Sequence, residues 1–373
     1  MKLITQLSRI FTGILFIISG FIKANDPTGF AFKLEEYFVK FHLEFFNDYT
    51  IWLAIIICIF EIVVGAALLL GIRIRLTSWL LLLMIVFFTF LTAYSAITKA
   101  VTDCGCFGDA IKLTPWQSFG KDVVLLILIL IIFFNQQYIK PLLSKVISSI
   151  AMYIVTFLAT AFSITCYLYL PVKDFLPFKK GNNIEEKMTI PAGAPTDSFE
   201  VRLVYTHLTD NTVKEFSLKE IGALDSTWKW KETINKKIRE GYKPPIHDFH
   251  IVDASGAEQT DMFLSDGYKL VFVSYDLNKA HQEAFRKIGR LAEDWSKNTK
   301  FKFWGLTNAS SAETEKLRHD NNWMIDFYTV DATPLKMMVR ANPGILLINK
   351  NIVVMKWSSY NVPSFQQVQK YMN

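Results

Sequence analysis

Five apolar runs, near residues 4–23, 51–71, 76–98, 115–134 and 147–170, fill the first half of the chain. Each is close to the ~20 residues a helix needs to cross a hydrocarbon core of about 30 Å. In lipid such a segment has to be helical, because no water is present to satisfy an open backbone. Composition supports a mixed object. The 373 residues are 51% hydrophobic with 31 phenylalanines, too apolar for an ordinary soluble protein, yet 20% are charged, too many for a pure membrane channel. A membrane part joined to a soluble part follows, with about two or three domains in all. Net charge is +6 and the basic residues are dispersed rather than clustered with aromatics, which argues against a nucleic-acid partner.

Trp52, Trp79 and Trp116 lie toward the ends of runs, where aromatic belts sit. Lys2 and Arg9 before an apolar core imitate a signal peptide, but "SGFIKAND" offers no small-x-small cleavage site, so the first run reads as a span. The connections "GIRIR" (71–75) and "NQQYIKPLLSK" (135–145) are basic without acids, and therefore cytoplasmic. With five spans the N-terminus is then inside. The 24–50 loop mixes both signs; the 99–114 loop and everything after about 171 are outside.

That outer loop contains "TDCGCFGDA" (102–110), with Cys104 and Cys106 one glycine apart. An oxidising extracytoplasmic space permits disulfide chemistry there. A disulfide between residues i and i+2 closes a tight ring, and departures from relaxed geometry make such a bond easier to reduce. Gly105 supplies the turn. Three readings stay open: a redox pair, a static structural disulfide or buried thiols, and half of a metal site. The loop lacks a histidine, and a lone C-x-C is a poor zinc signature. Cys58 and Cys166, in the outer halves of the second and fifth spans, are conceivable relay thiols, although membrane cysteines are usually packing.

Four ionisable residues in or near the spans stand out. Glu61 is mid-span, where a charge costs at least a few kcal/mol, and either pairs with Lys121, accepts a proton during electron transfer, or is a protonated or hydrogen-bonded residue that locks helices together. Lys121, beside Asp122, sits about two turns into the fourth span and snorkels outward. Lys23, at the end of the first span, reads as an interface residue. Gly13 and Gly20 in the first span and Gly65 in the second permit close helix approach.

Beyond Leu170 the character changes. Residues 171–198 are rich in Pro, Gly and charge and read as a linker. A hairpin turning at Asp210–Asn211 follows, then "TWKWKETINKKIREGYKPP", read as part helical. From Ile246, "FHIVDASGAEQ" (249–259) reads as a strand pair, and the pattern then becomes strand–helix–strand, helix, strand, short helix, hairpin and helix, which one mixed sheet satisfies. Boundaries fall at 1–138 for a four-helix membrane domain, 139–171 for a fifth span, 172–245 for a linker with a small β/α segment, and 246–373 for an α/β domain.

The order of elements and the stretch "ANPGILLINKNIVVMKW" resemble the thioredoxin-like fold in its peroxiredoxin or thiol-disulfide-reductase form. That resemblance implies a cis-proline before the antiparallel hairpin, at Pro343, in a loop that contacts partners. The family's cysteine motif should follow "LVFVSYD", where this chain has "LNKAHQ", and no cysteine occurs after Cys166. The domain is a degenerate copy that cannot exchange thiols itself. In the membrane half, "SGFIKANDPTGFAFKLEEYF", "FEIVVGAALLLG" and "CGCFGDAIKLTPWQSFGKD" resemble the DoxX superfamily, and within it the methylamine-utilisation MauE type. The resemblance implies extracytoplasmic redox work or disulfide maturation of a partner protein.

Together these readings give a four-helix DoxX/MauE-like bundle plus a fifth transmembrane helix, followed by an extracytoplasmic thioredoxin-like domain, in a bacterial cytoplasmic membrane. Cys104 and Cys106 exchange electrons with an extracytoplasmic protein client that the thioredoxin-like domain holds. A quinone is a candidate electron acceptor. The alternative is a non-enzymatic envelope scaffold whose outer domain recruits a partner.

Overall fold

The structure is a computed structural model that describes residues 1–99, 105, 107–239 and 241–372, apart from the side chains at 223, 236 and 237. Contacts divide it into two compact units. Met1–Asn183 together with Phe249–Asn373 form one, and Ile184–Asp248 the other.

Five helices long and apolar enough to cross a membrane open the first unit: α1 (Lys2–Asn25), α3 (Thr50–Leu70), α4 (Ile74–Thr98), α5 (Pro115–Phe134) and α6 (Lys145–Tyr169). A further helix, α2 (Pro27–Lys40), lies between the first two. The glycines explain how α1 meets α3. A Cβ on Gly65 would lie 2.9 Å from the carbonyl oxygen of Gly13, and one on Gly13 would lie 2.6 Å from Leu69. Only hydrogen fits between these backbones. The C-terminal end of α3 is capped from α1, since Arg9 Nε donates to Leu68 O at 3.0 Å and Nη2 to Leu69 O at 2.5 Å. Outward-facing Leu7, Ile14, Ile56, Leu83 and Phe157 are exposed, as lipid rather than water requires. Helix α2 replaces the loop expected over 24–50. Asp26 accepts from Gly29 N at 2.8 Å with Pro27 as the first helical residue. Phe30, Ala31, Leu34 and Tyr37 then form a buried stripe at helical spacing.

The segment after α6, read as a linker, is partly core. Leu176 and Phe178 are buried. Gly181 N donates to Val353 O at 2.8 Å, and Val353 N to Asn182 O at 3.0 Å, so the chain lies along a sheet edge.

The second unit contains α7 (Ile184–Met188) and an antiparallel sheet of β1 (Ser198–His207), β2 (Val213–Ser217) and β3 (Trp228–Arg239) in the order β2-β1-β3. The expected hairpin around Asp210 is present: Asp210 accepts from Thr212 N at 3.0 Å. The expected part-helical stretch is instead β3. Its Trp-Lys-Trp-Lys opening has period two, which suits a strand with two unlike faces.

Phe249 returns the chain to the first unit. There follow α8 (Thr260–Phe263), β4 (Tyr268–Ser274), α9 (Glu283–Asn298), β5 (Phe303–Thr307), α10 (Ser311–Asn321), β6 (Asp326–Thr329), α11 (Ala332–Met338), β7 (Gly344–Asn349), β8 (Ile352–Ser358) and α12 (Phe365–Gln369). The sheet order is β6-β5-β4-β7-β8, with β4, β5 and β6 parallel and β7 and β8 antiparallel. Lys350 and Asn351, at φ 47° and 62°, make the two-residue turn between β7 and β8. Phe285, Ile288, Leu291 and Trp295 of α9 cover the sheet. The residues around 250–259 expected as a strand pair make only single bridges, from Val252 to Glu258 and to Thr329. The Asn342–Pro343 peptide is cis and immediately precedes β7. Parallel strands around a central strand, a cis-proline and an antiparallel hairpin make this a thioredoxin-like α/β domain.

Candidate functional site

Cys104 and Cys106 lie outside the described residues. Gly105 between them adopts φ +68°, a left-handed conformation that favours glycine. The stem of Lys33 from α2 lies beside it, 3.0 Å from where a Cβ would stand. Gly108 N donates to Gly105 O at 3.0 Å, closing a turn. The loop ends where Thr114 and Gln117 form a reciprocal capping box on α5.

What lies over this loop comes from the far end of the sequence. Arg340, three residues before cis-Pro343, is buried with its side chain 6% exposed. It donates from Nε to Asp26 Oδ2 at 2.8 Å and from Nη2 to Asp109 Oδ2 at 2.5 Å, and from Nη1 to Lys336 O at 2.7 Å. One guanidinium therefore joins the start of α2, the loop carrying Gly105, and the cis-proline segment. Burial alone would lower the pKa of Arg340, but Asp26 and Asp109 outweigh it and the net shift is upward.

The other ion pairs across this contact share one polarity. Lys279 meets Asp48 at 3.1 Å, Lys336 meets Glu35 at 3.5 Å, and Lys356 meets Asp174 at 2.7 Å. The acid always comes from the bundle or the segment leaving it, and the base from the α/β domain. Lys356 is buried, which lowers its pKa, while Asp174 opposes that shift. Phe32 of α2 meets Tyr275 edge to face at 5.3 Å, with the Lys336 ammonium 4.2 Å from the Phe32 ring centre. Burial pushes the Tyr275 phenol upward, so it stays neutral.

Tyr275 lies just before the stretch "LNKAHQ" (277–282), and Lys279 lies within it. Asn342 ties this stretch to the cis-proline loop. It accepts from Ser274 Oγ at 2.7 Å and from His281 N at 2.9 Å, and donates to Asp276 O at 2.6 Å. This face of the α/β domain is thus turned onto the bundle.

Around this contact a cleft offers about 930 Å³ to water-sized molecules. Gly105 and Asp109, Lys33 and Val39 of α2, and Lys336 and Met337 of α11 are among its walls.

A second, smaller space lies within the bundle. Lys23 and Glu61, each 3% exposed, form an ion pair, and Glu61 also accepts from Ser19 Oγ at 3.2 Å. The Lys23 ammonium stands 5.0 Å from the Phe30 ring centre and 5.1 Å from that of Phe88. Lys121 pairs with its neighbour Asp122 at 2.7 Å, Asp122 accepts from Thr92 Oγ1 at 3.0 Å, and Phe107 lies over Lys121 at 5.4 Å. These observations correct two expectations. Glu61 pairs with Lys23 rather than Lys121, and Lys23 is a buried partner rather than an interface residue. The reason is spacing: Ser19 and Lys23 are one helical turn apart on the face of α1 that meets α3. Lys23, Glu61, Lys121, Asp122 and Lys33 line a common cavity with Phe16, Phe88 and Leu125.

Cys58 and Cys166 are buried free thiols. Cys58 packs in a cluster with Ala24, Ile62 and Ala159, so helix packing accounts for it. Arg340 and Asp109 escape sequence reading because they are 231 residues apart. The one available signal is an arginine just before the cis-proline segment.

The architecture is that of a multi-pass membrane protein: a helical bundle continued by a thioredoxin-like domain docked on it. Against known proteins, the family model for methylamine utilisation protein MauE matches residues 1–135. Protein TlpB of Flavobacterium psychrophilum is 30% identical over 174 residues, or 44% of this chain and 44% of TlpB. The match thus spans less than half the length of that relative. A thiol peroxidase from Chromobacterium violaceum is similar in structure with a TM-score of 0.25 and 16% identity, over 34% of this chain and 81% of that one.

Proposed function

We propose that the chain performs thiol–disulfide exchange with an extracytoplasmic client protein at Cys104 and Cys106. The observation that carries this reading is the position of Gly105. The glycine between the two cysteines in sequence lines the cleft, where a client segment would lie. The α/β domain supplies the opposite wall through Lys336 and Met337. The client therefore lies between the two halves, rather than on a free thioredoxin-like arm. Arg340, three residues before cis-Pro343, lines the same wall.

In the exchange, a client thiolate attacks one sulfur of the Cys104–Cys106 disulfide and forms a mixed disulfide. The second client thiol then displaces it. One S–S bond breaks in the loop and one forms in the client. Two electrons and two protons pass to the loop, and the reverse direction uses the same steps. A loop disulfide spanning two residues suits this role because it is more readily reduced than a relaxed one.

The bundle end bearing Arg9, Arg73 and Lys140 is the cytoplasmic one in this reading, and the loop end faces the periplasm of a bacterium. The wider DoxX kinship and a methylamine-type maturation role belong to the same proposal. A quinone does not fit the bundle cavity as folded. The cavity leaves about 40 Å³ for the centres of water-sized molecules, enough for a few waters at roughly 10–15 Å³ each.

The test is alkylation trapping in intact cells with a gel shift for each loop cysteine. Exchange predicts that Cys104 and Cys106 change redox state when cells are treated with a reductant or a thiol oxidant, and that Cys104→Ser alters client disulfides. If the double serine variant is silent while removal of 172–373 abolishes function, the chain is a scaffold instead.

A further inference from the structure

We infer that the cleft between α2 and α11 is a docking groove for an acidic segment of the client, selected by Lys40 at the end of α2 and Lys112 in the loop before α5. The inference rests on the reading that a client enters this cleft, and goes beyond it by naming the client's chemistry.

The acids in the described walls are already engaged by the chain itself. Asp26 accepts from Gly29 N and from Arg340 Nε, both at 2.8 Å, and Asp109 accepts from Arg340 Nη2 at 2.5 Å. Glu36 receives the Lys33 ammonium on its two oxygens, at 3.0 and 3.2 Å. Glu35 meets Lys336 at 3.5 Å and accepts from Thr50 Oγ1 at 3.3 Å. Two bases of the same walls remain. Lys40 and Lys112 are exposed, and neither makes an ion pair or a hydrogen bond among the described residues.

Each of these ammonium groups has an apolar neighbour in the cleft. Val39, beside Lys40, is exposed, and Leu113 follows Lys112. Met337 of α11 supplies a further apolar group from the opposite wall. The free chemistry of the groove is therefore two cations and an apolar lining, which suits a segment carrying carboxylates and an apolar side chain. A space walled by α2, the loop and α11 accommodates a peptide chain better than the headgroups of a flat leaflet. Exposed ion pairs each change affinity only a few-fold, so the two lysines select the client rather than hold it alone. Such selection is electrostatic and weakens with salt.

The experiment gives the purified full-length chain, in an uncharged detergent, three short cysteine-free peptides. They are built on Gly, Ser and Leu, differ only in having Glu, Gln or Lys at the same places, and carry an uncharged dye. Fluorescence anisotropy reads Kd, and the lack of cysteine keeps disulfide exchange out of the measurement. The Glu peptide binds about tenfold more tightly than the Gln peptide at low salt, and the Lys peptide binds most weakly. Salt at about 0.5 M removes most of that advantage. Lys40→Gln and Lys112→Gln each reduce it roughly threefold, and Lys40→Glu/Lys112→Glu reverses the preference. Lys297→Gln, on an exposed pair of α9, leaves it unchanged. Thermal unfolding establishes that each variant is folded.

Equal binding of the three peptides, binding of none, or an unchanged preference in folded Lys40→Glu/Lys112→Glu overturns the inference. So does loss of the Glu peptide to an equal concentration of a short-chain phosphatidylglycerol, since the lysines then serve lipid headgroups. Peptides that bind as expected to a chain whose loop cysteines stay inert to redox trapping leave acidic docking standing, and the exchange reading fails instead.

Discussion

Replacing Glu61 by Gln tests the bundle's interior most sharply. The substitution keeps shape and the bond from Ser19, but leaves the Lys23 ammonium without a counter-charge at 3% exposure. Removing one partner of a buried pair costs about 3–5 kcal/mol, because the survivor stays desolvated. Glutamine still accepts a hydrogen bond from Lys23, so the lower end applies, about 3 kcal/mol. At roughly 2–4 °C per kcal/mol for a domain of 150–250 residues, the melting point falls by about 6–12 °C. The double variant Lys23→Met/Glu61→Leu has no stranded charge. It loses the ammonium's contacts with Phe30 and Phe88, worth about 1–2 kcal/mol, and should therefore unfold at a higher temperature than Glu61→Gln. Tryptophan fluorescence of the detergent-solubilised chain measures all three transitions. A silent Glu61→Gln, or a double variant less stable than Glu61→Gln, would refute the pairing argument.

Other outcomes follow from particular contacts. Gly65→Leu should separate α1 from α3 and destabilise the bundle by at least 1–3 kcal/mol, measured by the same melt, because its Cβ alone meets the Gly13 carbonyl at 2.9 Å. Ser310→Ala removes the capping box of α10 and should cost about 1 kcal/mol, seen in chemical denaturation. Asp253 is held down to about 2 by the Ser255 side chain and Ala257 N. A depressed carboxylate stabilises its turn above the ordinary value of 3.8 and loses that contribution as pH falls through about 2. NMR titration should show the 253–257 amides shifting in that window and staying constant between pH 5 and 8.

How much was legible in advance depended on the range of the signal. The spans were readable because bilayer thickness imposes a length and lipid imposes helix. The α/β order and cis-Pro343 were readable because strand and helix periods are local and the proline sits at a fixed point before β7. Helix α2 was missed although Asp26 and Pro27 announce it, since its charged face made 24–50 look like a mixed loop. Strand β3 was misread because lysines alternating with tryptophans are compatible with either period over a short stretch. The Lys23–Glu61 pair needed the α1–α3 crossing, which Gly13 and Gly65 hint at without fixing the rotation of either helix. The Arg340 contacts were out of reach of any sequence window, as they join the two ends of the chain.

The most direct test of the account is capture of the exchange intermediate. The purified full-length chain, as Cys104→Ser and as Cys106→Ser, is incubated with a cysteine-containing peptide disulfide, and the adducts are mapped by mass spectrometry. Exchange at the loop predicts a peptide joined to the remaining loop cysteine, and no adduct at Cys58 or Cys166. Peptide bound only at Cys58 or Cys166, or no adduct at all from either folded variant, would contradict it.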